Sequence, residues 1–128
     1  MEDSQIDHIT MSASCGFPSE PSSHIQAVLG AAGLQRRAKG SKRFSTPSEV
    51  IETDNYSTRA ALVAASCHAL IRTLKSAGID RKFVEEHDAK VQLYISLSSL
   101  SESAGIEMAS TVWEPWMALG ATLRLDVI

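Results

Sequence analysis

The end of the chain, Leu119-Gly120-Ala121-Thr122-Leu123-Arg124-Leu125-Asp126-Val127-Ile128, limits the possible folds more than any other segment. Gly120 closes a helix, because glycine takes the left-handed conformation that ends one. The residues after it alternate, with Leu123, Leu125 and Val127 on one face and Thr122, Arg124 and Asp126 on the other. An alternating strand has to pair inside a sheet. These residues are therefore expected to hold the fold together, with no tail, tag or linker after them.

The same alternation recurs upstream. From Gln5 to Gly16, Ile9, Met11, Ala13 and Cys15 alternate with Thr10, Ser12 and Ser14, and Phe17 extends the apolar face. Val91, Leu93, Ile95 and Leu97 alternate with Gln92, Tyr94, Ser96 and Ser98, the clearest strand of the chain, which places Tyr94 on the open side. Between these strands the period changes to that of a helix. Ser22 or Ser23 caps a short one with Ile25, Val28 and Leu29 inward, ended by Gly30 or Gly33. Ser57 or Thr58 starts the longest, which runs to about Ala77 with Leu62, Val63, Cys67, Leu70, Ile71 and Leu74 as its apolar stripe and Arg59 off its centre. Gly78 ends it, and Asp80 caps a short helix through His87. Ser98 to Gly105 reads as a serine-rich loop. Ser110 or Thr111 can open the last helix, but Pro115 belongs near a helix start, so the helix proper is expected from about Trp113.

Two oppositely charged segments complete the chain. Arg36, Arg37, Lys39, Lys42 and Arg43 bring five of the twelve basic residues together, and Gly40-Ser41 makes this a loop or an edge hairpin. Glu49, Glu52 and Asp54 follow around Val50 and Ile51, and the two segments are expected to pair as neighbouring strands. The resulting order is β-α-β-β-α-α-β-α-β. It predicts one α+β domain over residues 1–128, a mixed or antiparallel sheet with helices on one face and a ferredoxin-like sandwich as its form.

At 128 residues and a formal net charge of −3, the totals suit a single globular domain and weigh against a dedicated nucleic-acid binder. No apolar run approaches the ~20 residues of a membrane span, and the acidic start Met1-Glu2-Asp3 is unlike a secretory leader, so a cytoplasmic location is expected. Cys15 and Cys67 read as free, buried thiols of such a compartment. With no CxxC or CxxH spacing, neither a metal site nor a cofactor is expected. No phosphate-cradling glycine loop, zinc-protease helix or nucleophile elbow occurs, and no catalytic residues are assigned.

Leu29-Gly30, Lys39-Gly40, Gly105-Ile106-Glu107 and the Leu119-to-Val127 unit resemble a widespread, uncharacterised family of small bacterial α+β domains. In that family a Leu-Gly follows the first helix, a Lys-Gly sits in the next turn, and helix, Leu-Gly-Ala and strand close the domain. Ala38 stands where the pattern has a tryptophan. The family implies no catalytic residues, and domains of this type resemble immunity proteins, which neutralise a cognate toxin.

Two functions are thus expected from the sequence. In the first, the chain is a non-enzymatic immunity protein that occludes its toxin through Glu49, Glu52, Asp54, Glu85, Glu86 and Asp88, with Trp116 as an aromatic anchor. In the second, Arg36, Arg37, Lys39, Lys42 and Arg43 bind a phosphate-bearing small molecule or a nucleic acid, with Tyr94 as a stacking surface.

Overall fold

The computed structural model describes residues 7–36, 38–98, 106 and 108–128. Residues 1–6, Arg37, the serine-rich stretch 99–105 and position 107 lie outside the described residues. The elements follow in the order β1 (Asp7–Gly16), α1 (Ser23–Ala31), β2 (Arg43–Ser45), β3 (Glu49–Thr53), α2 (Tyr56–Ser76), α3 (Arg81–His87), β4 (Lys90–Ser98), α4 (Ser110–Met117) and β5 (Thr122–Val127). The fold is α+β, in the order the sequence predicts.

β1 is the hub of the sheet. β4 takes one of its edges, antiparallel over His8–Gly16. The other edge is shared end to end by β3, against Asp7–Met11, and β2, against Ser14–Gly16. β5 lies beyond β4 and runs parallel to it, reached through α4, because parallel neighbours need a crossover connection. The sheet is therefore mixed.

Two expectations are corrected here. β2 and β3 do not pair with each other: both run antiparallel to β1, and Thr46, Pro47 and Ser48 carry the chain from one to the other as a bulge opposite Ser12 and Ala13. Thr46 fixes the bulge, its Oγ1 accepting from Ala13 N at 3.0 Å and its N–H donating to Ala13 O at 2.9 Å. Nor is the sandwich ferredoxin-like, since two strands on one edge of β1 and a closing parallel β4–α4–β5 unit are not the βαββαβ plan.

Helices cover one face only. Ile9, Met11, Ala13 and Cys15 of β1 and Val91, Leu93, Ile95 and Leu97 of β4 form the floor of a single core, roofed by Leu29 of α1, the α2 stripe and Val112 and Trp116 of α4. Each fully buried Leu or Ile contributes about 1.5–3 kcal/mol, so these two strands anchor the domain. Val28 and Leu62, expected inward, sit at the exposed margin. So do Leu123, Leu125 and Val127: β5 continues the apolar face of β4 past the cover of the helices. The closing strand is thus an outer strand rather than part of the core.

A polar contact also lies within this core layer. Arg59 Nη1 donates to Asp7 Oδ2 at 2.5 Å, with both side chains almost wholly buried, tying the start of α2 to the start of β1. α2 itself begins one residue earlier than expected, capped by Asn55, whose Oδ1 accepts from Ser57 N and Thr58 N. α4 starts at Ser110, ahead of Pro115. Pro115 has no N–H to donate one turn back, and Thr111, the residue there, is exposed.

Candidate functional site

The face of the sheet away from the helices carries the site. Register partners share a face, so the open side reads as successive rows across the strands. Arg43, Gly16 and Lys90 form the first row, and Ser45, Ser14, Gln92 and Thr122 the second. Ser12, Tyr94 and Arg124 form the third; Val50, Thr10, Ser96 and Asp126 the fourth; Glu52, His8 and Ser98 the last. Charge thus falls along the face, from two cations at one end to Asp126 and Glu52 at the other. Over the first three rows lies a depression of about 510 Å³, lined by serine hydroxyls, Gln92 and Tyr94 and flanked by Arg43 and Arg124.

Small residues make this depression. Gly16 lies beside them: a Cβ there would stand 3.3 Å from Arg43 Nη2, tight enough that the guanidinium laid across the strand would have to give by a few tenths of an ångström. Arg43 Nη1 donates to Ser14 Oγ at 2.6 Å, which fixes the cation against the floor. On the opposite wall Arg124 is held in two ways. Its Nε is 3.5 Å from Asp126 Oδ2, and its guanidinium carbon is 5.7 Å from the centroid of the Tyr94 ring. The Tyr94 hydroxyl in turn donates to Asp126 Oδ2 at 2.9 Å. Tyr94 lies on the open side as expected, but Arg124 covers its ring, so it is a support for a cation rather than a bare stacking surface.

The basic segment divides. Among its described residues, Arg43 turns onto the open face. Arg36 is half-buried, pairs with Glu20 at 2.7 Å and packs over the Phe44 ring. That hydrogen bond holds the exposed Glu20 carboxyl below its usual range. Lys39 and Lys42 are exposed around the turn, and Arg37 lies outside the described residues. Lys90 and Arg124 were not anticipated. Nothing local marks them, because their meeting with Arg43 depends on strand neighbours distant in sequence.

The acidic residues do not gather into one surface. Glu52 points to the open face, where its Oε1 is 3.2 Å from His8 Nδ1, whereas Glu49, three residues earlier, points to the helix side and Asp54 lies past the strand end. Glu85 and Glu86 are paired with Arg81 and Lys82 one turn earlier, at 2.9 and 3.8 Å, and Asp88 ends α3 in the left-handed conformation. The two groups stand at opposite ends of β1, about 17–26 Å apart at the rise of a strand. Trp116 is wholly buried, so it fills the core and is not a contact residue; Trp113, half-buried, stacks on it at 6.1 Å.

Arg43 and Arg124 give the open face groups that can hold an anion. Ser14 is hydrogen-bonded to an arginine, which cannot accept its proton, so the hydroxyl is not activated as a nucleophile. Burial pushes the Cys15 thiol up to about 12 and Cys67 to about 11, which leaves both unreactive at neutral pH. Among the described residues, no three His, Cys, Asp or Glu side chains are grouped to hold a metal, and no helix is long and apolar enough to cross a membrane. No family model matches the sequence, and no curated protein or solved structure matches it.

Proposed function

We propose that this domain is a binding module, not an enzyme, and that it takes a phosphate-bearing small molecule on the open face of its sheet. The observation that carries this reading is the guanidinium of Arg43, laid across Gly16 and braced by Ser14 beside a polar depression. Lys90 in the same row and Arg124 on the far wall add two further cations. Phosphate oxygens suit such a seat, since a guanidinium gives them charge-assisted hydrogen bonds and serine hydroxyls supply neutral ones. A small ligand fits better than a nucleic acid. The floor spans about 14 Å from β2 to β5, and no pair of uncovered aromatics offers successive bases a stacking platform. A cytoplasmic site of action belongs to the same proposal, in keeping with two free thiols.

The immunity reading draws less support, because its acidic residues are divided between two faces and two ends of the sheet and its anchor, Trp116, is inaccessible. Titration with pyrophosphate, followed by calorimetry and by NMR of the arginine side chains, tests the ligand reading. Binding should shift the Arg43 signal, weaken as salt rises, and fall about tenfold in Arg43→Ala. Equal affinity in Arg43→Ala and the parent would refute it.

A further inference from the structure

We propose that two copies of this chain pair through β5, antiparallel, about a two-fold axis at Leu125. This proposal does not rest on the ligand reading, although Arg124 takes part in both. β4 occupies the inner edge of β5, and no strand among the described residues occupies its outer edge. Its apolar face is uncovered, with Leu123, Leu125 and Val127 at 46%, 42% and 55% exposure, while their register partners Leu93, Ile95 and Leu97 are at 1% or below. β5 carries no lysine, proline or bulge to stop its edge from pairing, and its two charged side chains, Arg124 and Asp126, are of opposite sign.

The order of side chains along β5 indicates the occupant. A two-fold axis normal to the sheet keeps both helix layers on one side, so apolar positions meet apolar positions and polar meet polar. Centred on Leu125, it sets Arg124 against the partner's Asp126 twice, Leu123 against the partner's Val127 twice, and Leu125 against its own copy. Directly opposed side chains lie about 5 Å apart, close enough for opposite charges to attract and like charges to repel. Moving the axis one position centres it on a polar residue. There Arg124 opposes Arg124, or Asp126 opposes Asp126. Only the Leu125 register sets each of these charges against an opposite one on the partner strand, added to the contact that Arg124 and Asp126 make within their own strand. A strand that reads as its own complement in the reverse direction fits a second copy of itself, and other partners match it only by coincidence.

Sedimentation equilibrium on the intact chain, over a wide concentration range, tests this. The wild type should dimerise reversibly. Arg124→Asp and Asp126→Arg should each raise the dissociation constant by roughly tenfold or more, since each turns both attractive pairs into repulsive ones. Mixing these two variants should restore the dimer, because two acids on one strand then face two bases on the other. That recovery also shows both variants to be folded. Leu125→Lys should abolish pairing while the circular dichroism of the monomer is retained. A wild type that stays monomeric throughout, or variants that dimerise alone as well as the wild type does, would overturn the proposal.

Discussion

At one edge of the sheet, β2 and β3 leave little for another strand to pair with; at the other, β5 leaves nearly everything. The first edge is cut into pieces of three and five residues by a bulge that contains Pro47. Gln35 covers part of it, exchanging two hydrogen bonds of 2.8 Å with Ser45. Its side chains are also held from within: Phe44 and Ile51 are buried, and the Asp7–Arg59 pair lies beneath its β3 end. β5 is six unbroken residues of which none is buried. Both edges belong to one sheet, and the difference lies in how far the helix layer reaches. It spans β1 and β4 and stops short of β5, so an identical alternation of leucine and polar residues makes core in one strand and open surface in the next.

The largest effect should come from breaking the anchored edge. Arg59→Ala removes a buried ion-pair partner of Asp7 and should cost about 3–5 kcal/mol in urea unfolding, whereas a loss under about 1 kcal/mol would mean that the pair is solvated. A matched pair of substitutions sharpens the contrast directly. Leu93 and Leu123 are neighbours in register, yet Leu93→Ala should cost about 2–5 kcal/mol and Leu123→Ala, measured in the monomer, less than about 1 kcal/mol. Equal losses would show that the apolar face of β5 is covered. The smallest effect concerns the thiols. Cys15 lies between Phe44 and Val91, on the anchored side, and Cys67 faces the same core from α2. Their folded pKa values are raised above 9.0, so the native state holds its protons longer than the unfolded chain does. Stability should be insensitive to these groups below pH 9 and should decline as pH rises through about 11 and 12. A thiol reagent that labels either cysteine in the native protein at neutral pH would contradict their burial.

What was legible in the sequence is what depends on near neighbours. Alternation located β4 almost to the residue, Gly78 located the end of α2 and the Asp80 cap the start of α3, because these signals act within a few positions. Alternation also marked one apolar face on β5, but no periodicity says whether a helix will lie over it. The same distance hides the Asp7–Arg59 pair, whose partners are separated by 52 positions, and made Arg59 look like an ordinary surface arginine. At the candidate site Arg43 and Tyr94 were anticipated, one as part of a basic run and one as an open-face residue. Lys90 and Arg124 join them only through the registers of β1 with β4 and of β4 with β5. The acidic residues illustrate the opposite error: Glu49 and Glu52 are close in sequence, but three positions along a strand reverses the face.

The central pairing of β1 with β4 sets a timetable for folding. Of the described elements β1 is made first, and its most extensive partner does not exist until α1, β2, β3, α2 and α3 have all been made. Until then β1 can pair only with the short β2 and β3, which together contact less of it than β4 does. Closing so large a loop is entropically slow, so the domain should acquire its sheet late and nearly all at once. A nascent chain halted before Lys90 would hold Ile9, Met11 and Ala13 without their most extensive strand neighbour, which makes it a substrate for chaperones rather than a partly finished domain.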